Sequence, residues 1–169
     1  MTEPSPVPGA SATTVPPAAA VAGVLAPPPV LYLGTLGLGG AAQWLYPIPW
    51  LAHALVPWLA GGLLLAGVLL ARWSFVTLRR LGTSGNPRTP TQALAMEGPF
   101  RHSRNPIYLA MTLLYLGLAT LLNASWLLLL LPSLLILMHC GVIEREEHYL
   151  TQRFGAAYER YRQQVRRWL

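Results

Sequence analysis

The 169-residue chain has no lysine: its twelve basic residues are all arginines, and none precedes Arg72. Only 11% of its residues are charged, where an ordinary soluble domain carries about 25%. That deficit excludes the usual soluble composition and points to a membrane protein. The confinement of basic charge to Arg72 and beyond argues against nucleic acid as a partner. It argues for arginine as the residue that sets orientation in a bilayer. A single cysteine, Cys140, excludes an intramolecular disulfide. His139 and Cys140 are adjacent and point apart on a helix, and the four histidines fall into no metal-ligand spacing, so no metal site is expected. No basic start followed by an apolar core opens the chain, which is not the pattern of a secretory signal. No glycine fingerprint of the dinucleotide-binding type follows a strand pattern.

What is present is apolar: 53% of the residues are hydrophobic. Residues Met1 to Pro29 are rich in proline and alanine and predict a disordered tail, because Pro16-Pro17 and Pro27-Pro28-Pro29 oppose a helix. Four apolar spans follow, over residues 30–48, 54–73, 106–122 and 126–143; the first is long enough to cross about 30 Å of hydrocarbon, and the last two are near the lower length limit for doing so. Gly34, Gly37, Gly40 and Ala41 in the first span, and Gly61, Gly62, Ala66 and Gly67 in the second, predict close helix packing. Trp44, Tyr46 and Trp50 predict an interfacial belt, with His53 at the same end. The second helix is expected to run on to about Leu81, before a polar loop at Gly82 to Pro90. Asn123-Ala124-Ser125 predicts a tight turn with Ser125 as a helix N-cap, joining the last two spans as an antiparallel hairpin, and Pro132 predicts a kink. The expected fold is all-α: a polytopic membrane helical bundle of about four transmembrane helices over residues 30–169, with a C-terminal cytoplasmic amphipathic helix.

Arginine then fixes the expected topology. Arg79, Arg80, Arg88, Arg101 and Arg104 lie between the second and third spans, and Arg145, Arg153, Arg160, Arg162, Arg166 and Arg167 lie in the tail. Both regions are expected on the cytoplasmic side, with both chain termini. The tail opens on Glu144, Arg145, Glu146 and Glu147, then places Leu150, Phe154, Tyr158, Tyr161 and Val165 along one helical stripe that breaks near Gly155. It either lies on the bilayer surface or folds back onto the loop carrying Arg101 and Arg104.

The stretch Gly-Pro-Phe-Arg-His-Ser-Arg-Asn-Pro-Ile-Tyr at 98–108 carries the chemistry. Asn105-Pro106 marks a helix start, with Asn at the N-cap and Pro at the first helical position. Arg101, His102 and Arg104 stand beside that helix N-terminus, where free N–H groups and partial positive charge favour an anion. Glu146 and Glu147, at the mouth of the fourth span, would accept hydrogen bonds from an ammonium group or sugar hydroxyls. Tyr108, Tyr158 and Trp168 would stack on a base or face a cation. Carboxylate, ammonium, ribose and a positive sulfur together describe S-adenosylmethionine. Each feature has a plainer reading beside it. The arginines suit snorkelling to anionic lipid, Asn105-Pro106 suits a simple cap, the glutamates suit surface pairing, and the aromatic stripe suits packing. Convergence at one membrane face favours a site.

The segment at 98–108, the run Ile-Glu-Arg-Glu-Glu-His-Tyr-Leu-Thr-Gln-Arg-Phe-Gly-Ala-Ala-Tyr-Glu-Arg-Tyr at 143–161, and Val-Arg-Arg-Trp-Leu at 165–169 resemble the isoprenylcysteine carboxyl methyltransferase family. The likeness is greater to its short bacterial members, which are themselves similar to phospholipid N-methyltransferases, and it covers roughly Glu97 to Leu169. The resemblance implies a helical membrane bundle with S-adenosylmethionine as cofactor. It implies that Arg104, Asn105, Pro106, Tyr108, Glu146 and Glu147, with His102 alongside, line the cofactor pocket. It places the protein as integral to a bacterial inner membrane, acting on a lipophilic carboxylate or amine that arrives through the bilayer. A carboxylate acceptor would be oriented by Arg101 or Arg104. An amine acceptor needs a base, for which Glu146 and Glu147 are the candidates. Two rivals stand beside this reading: a nicotinamide-dependent membrane reductase, which wants clustered arginines for a 2′-phosphate, and a non-catalytic lipid-binding protein.

Overall fold

A computed structural model describes residues 22–83 and 91–168. Most of the disordered tail expected at 1–29, and most of the polar loop after Leu81, lie outside those residues. Among the described residues there is no strand. The helices are α1 (Pro28–Leu45), α2 (Val56–Arg80), α3 (Pro106–Leu121), α4 (Ser125–Met138), α5 (Glu144–Phe154) and α6 (Ala156–Gln164), with a 3₁₀ turn at Gly98–Arg101 and a π-helical turn at His139–Ile143. The four apolar segments thus fall where hydrophobic patterning put them. Two stretches are long and apolar enough to cross a membrane, Val56–Arg80 and the continuous run Ser125–Phe154, while Pro106–Leu121 is a shorter apolar helix. The apolar part of the second stretch ends at Ile143, where the charged sequence of α5 begins. Leu33 and Leu38 on α1, Trp58, Leu65 and Leu69 on α2, and Leu129 and Ile136 on α4 are exposed. An outer surface this apolar belongs against lipid.

Three expectations are corrected at the helix ends. α1 starts at Pro28, inside the proline run that was expected to oppose helix. Proline is tolerated in a first turn, where its missing N–H would have had no partner. The segment before it is ordered: Ala22 is buried, and Leu25 N–H donates to Gly141 O at 2.9 Å. Ser125 is the first residue of α4, not its cap, and Ala124 holds the N-cap position. Asn105 does occupy the N-cap position of α3 but makes no capping bond with its side chain, which is engaged elsewhere.

Packing also departs from the simple hairpin. α3 lies chiefly along α2 and α4 chiefly along α1, with α3 and α4 touching less. The core gathers Tyr32 of α1, Tyr108, Tyr115 and Ala119 of α3, and Leu127, Leu134 and Met138 of α4. Its polar atoms are satisfied internally, as a lipid setting requires. The Tyr32 hydroxyl meets Thr112 Oγ1 at 2.8 Å, and Tyr115 OH donates to Leu127 O at 2.9 Å. At the end away from α5, Asn123 accepts at Oδ1 from the Trp50 and Leu51 amides (3.1 and 3.0 Å) and donates to Leu51 O (2.8 Å). That clip holds the α1–α2 connection to the α3–α4 turn.

The glycines that allow close packing are Gly39, Gly67 and Gly117. A Cβ on Gly39 would run into the Leu127 side chain, and one on Gly67 would sit 2.8 Å from Leu114 Cγ and 3.1 Å from Ala110 O. On Gly117 it would sit 2.7 Å from Leu64 Cγ and 3.1 Å from Leu64 N. Gly34, Gly37, Gly40, Gly61 and Gly62 face open space. Periodic spacing of small residues cannot tell which turn faces a neighbour. Gly117→Ala therefore forces α2 and α3 apart, at a cost of about 1–3 kcal/mol. Gly61→Ala meets nothing and gains up to about 1 kcal/mol of helix propensity. Denaturant unfolding in detergent is expected to show opposite signs for the two.

Candidate active site

The site is built where the entry to α3 meets the start of α5. Gly98 has φ +56° and a Cβ there would lie 2.7 Å from Thr77 Oγ1 and 3.1 Å from Trp73 Nε1. Only glycine lets the 3₁₀ turn press against the end of α2. That turn buries Phe100 and throws Arg101 and His102 outward, then buries Ser103 before Pro106 opens α3. From the other side, the apolar run of α4 ends in the π turn, and α5 begins with its glutamates. Gly155, at φ +52°, breaks the helix and lets α6 fold back. Tyr161 OH then donates to Phe100 O at 2.7 Å. Of the two arrangements open to the tail, the structure has the one folded back on the loop.

Between these walls lies a cavity that is partly open to solvent. Arg104, Asn105, Pro106, Tyr108, Glu146 and Glu147 all line it. Arg101 and His102 do not. Both are exposed, and His102 leans on Trp73 with ring centroids 6.5 Å apart. Of the aromatic residues predicted to serve the site, Tyr108 and Tyr158 line the cavity. Trp168 instead packs against the core near His139 and Cys140.

The charged centre is Glu147. Its Oε1 lies 3.1 Å from Arg104 Nη1, and Arg167 holds both of its oxygens, Nε to Oε1 at 2.9 Å and Nη2 to Oε2 at 2.7 Å. The hydrogen bond with Glu147 holds the Arg167 guanidinium protonated even beyond its ordinary range, against the opposing effect of burial. Arg104 Nη1 also donates to Tyr158 OH at 3.4 Å, while Arg104 Nε is buried with no partner among the described residues. A buried unpartnered guanidinium N–H is a costly group to leave unmatched and fits an anionic ligand.

Glu146 is placed differently. It accepts the Tyr108 hydroxyl at 2.6 Å and has no arginine partner among the described residues. Burial pushes its carboxyl up to about 7; the Tyr108 hydrogen bond pulls it down, and the adjacent Glu147 charge pushes it up. Burial likewise raises the Tyr158 hydroxyl, with Arg104 opposing.

Several lining residues carried no signal in the sequence. Ala93, Leu94 and Ala95 wall the cavity. That stretch is pinned where Thr91 N–H donates to Tyr149 OH (3.2 Å) and Gln92 N–H to Thr83 Oγ1 (3.3 Å). Ala22 closes another edge, tethered by Arg145 Nη1 donating to Gly23 O at 2.9 Å. Arg167 read only as one tail arginine among six. Its spacing from Glu147 carries no periodicity, because a helix break and an extended end intervene.

The model of the family described as phospholipid methyltransferase matches residues 55–157, more than half of the chain. The matched stretch runs from the start of α2 into α6 and includes both walls of the cavity. Comparison with curated proteins and with solved structures gives no match.

Removing the Glu147 charge leaves Arg104 buried without its counterion. Glu147→Gln is expected to cost about 3 kcal/mol. The exposed pair Arg162–Glu159, at 3.6 Å, contributes less than about 1 kcal/mol, so Arg162→Gln is the control. Thermal unfolding of the two variants in one detergent separates these magnitudes.

Proposed function

The chain belongs to the phospholipid methyltransferase family, a family of membrane methyltransferases, and on that premise we propose that it transfers methyl from S-adenosylmethionine to the amine of a lipophilic acceptor. The observation that carries this reading is the pairing of two unlike groups in one cavity: Arg104, with a free buried Nε, and Glu146, a carboxyl poised near neutrality. Arg104 and the N-terminal end of α3 would hold the ligand's carboxylate. Tyr149, Tyr158 and Tyr161 offer faces for its base. S-adenosylmethionine, when bound, supplies a methyl group made electrophilic by positively charged sulfur.

The residues of the chain do the rest. An ammonium headgroup must lose a proton before its nitrogen can act as a nucleophile, and Glu146 is the carboxyl free to take it. Tyr108 fixes the direction of that carboxyl through the 2.6 Å hydrogen bond. The apolar wall of Leu78, Leu94, Phe100 and Leu150 suits an acyl-bearing acceptor and excludes water. A carboxylate acceptor is less favoured, because Arg101 stands outside the cavity and the free Nε of Arg104 is taken in this reading by the cofactor's own carboxylate. A nicotinamide 2′-phosphate is also less favoured: Arg104 is the one arginine among the described residues that lines the cavity. In this reading all four apolar helices span a bacterial inner membrane, with both termini and the site on the cytoplasmic side. The bilayer delivers the lipophilic acceptor, and α5 and α6 form the polar cap.

Mass spectrometry of membrane lipids after incubation with isotopically labelled S-adenosylmethionine identifies the acceptor; no transfer to any amine lipid overturns the reading. Because Glu146 must be ionised to accept a proton, kcat/KM is expected to rise with pH and level off above about 7. Glu146→Gln is expected to lower kcat by about 10²–10⁴-fold. Its affinity for S-adenosylmethionine should stay within severalfold of wild type in calorimetry.

A further inference from the structure

Arg167 is not among the residues lining the cavity. It reaches Glu147 from the far side, where its Nη1 also lies 3.0 Å from His139 Nε2, and His139 lies 3.3 Å from Glu144. The segment around it is tied to the entry of α3 by main-chain carbonyls. Arg166 O accepts from Arg104 N–H at 2.9 Å, and Arg167 O accepts from Asn105 Nδ2 at 3.0 Å and Ser103 Oγ at 3.3 Å. The end of the chain therefore bridges the two walls of the site. Its backbone grips the loop that carries Arg104, and its one inward guanidinium grips the carboxylate opposite Arg104. Three of these ties end on carbonyls and do not depend on tail side chains. From the tail, the hold on Glu147 depends on the Arg167 side chain.

We propose that Arg167 is a positioning residue: it fixes both oxygens of Glu147, and so aims the Arg104 guanidinium and its free Nε, without touching the ligand. The inference rests on the cofactor reading above. A bidentate hold leaves Glu147 one orientation, with a single edge of Oε1 left to Arg104. Without it the Glu147 carboxylate is free to swing and to take Arg104 in a fork of its own, which would consume the donors meant for an anion. Lysine at 167 restores the charge but not the fork, since an ammonium is a point donor that cannot span both oxygens in a fixed plane.

The test is calorimetric titration of the full-length protein in detergent with S-adenosylmethionine, alongside thermal unfolding without ligand. Arg167→Ala is expected to weaken binding about tenfold, the loss of one charge-assisted hydrogen bond's worth of orientation. Arg167→Lys is expected to recover only part of it. In an Arg104→Ala background the same Arg167→Ala change is expected to have no further effect on affinity, because the guanidinium it aims is gone; a merely structural tail contact would weaken binding equally in both backgrounds. If the alanine variant does not fold, the lysine variant carries the test, and affinity equal to wild type overturns the proposal. Wild type that binds while Arg167→Ala binds equally well overturns this inference alone. Wild type that binds no S-adenosylmethionine removes the cofactor reading and this inference with it.

Discussion

Glu147 stands between two guanidiniums, and the polar end of the molecule is assembled around that one carboxylate. Arg104 comes from the loop before α3, Glu147 from the first turn of α5, and Arg167 from the end of the chain. Three segments distant in sequence are held by charges placed largely out of water. At an effective dielectric near 20, unit charges about 4 Å apart attract by about 4 kcal/mol, and the cost of drying them takes much of that back. Net stability is therefore a weak reason for such an arrangement. Its value is directional: two cations on one anion leave a net positive charge, and a free Arg104 Nε, at the edge of a cavity. Such a set suits an anion.

The two neighbouring glutamates show how position separates identical side chains. Successive helical residues point about 100° apart, so Glu146 and Glu147 face different company. Glu147 meets arginines. Glu146 meets Tyr108 and apolar walls, and burial lifts its carboxyl toward neutrality. Both stood in the sequence as candidates for cofactor contact and for base, with Glu147 the one favoured for catalysis. The ion pairs now commit Glu147 to arginine, which leaves Glu146 as the carboxyl with a lone pair to spare.

How much of this could be read beforehand follows from which forces are local. The apolar segments were legible because burial in hydrocarbon acts on every residue of a span at once, and the observed helices depart from the expected limits mainly at their ends. Arg104, Asn105, Pro106, Tyr108, Glu146 and Glu147 were legible as a group because the helix start and the acidic turn have local signatures, and all six line one cavity. Their separate duties were not legible. Asn105 sits where a cap is expected, yet gives its amide to Arg167 O. Gly34 and Gly61 have the same sequence surroundings as Gly39 and Gly67, and only the packing of α1 on α4 and α2 on α3 distinguishes them. Arg101 and His102 belong to the same short motif as Arg104. A 3₁₀ turn, whose pitch differs from that of an α-helix, carries them out to solvent.

The π turn at His139–Ile143 links the two halves of the argument. A single extra residue in a helical turn shifts everything after it by about 100° around the axis. Had the same sequence run from α4 into α5 as a regular α-helix, Glu146 would face Arg104 in place of Glu147. Arg145 would then stand where Glu146 now meets the Tyr108 hydroxyl, and the second carboxyl of the site would be lost. The wide turn carries its own cost, because its backbone leaves a carbonyl out of the regular ladder. Within that turn, Gly141 O accepts the Leu25 amide at 2.9 Å. The same N-terminal segment brings Ala22 to the cavity edge. One irregular turn thus sets the register of the glutamates and recruits the segment that closes over them, which is why the site depends on residues from both ends of the described chain.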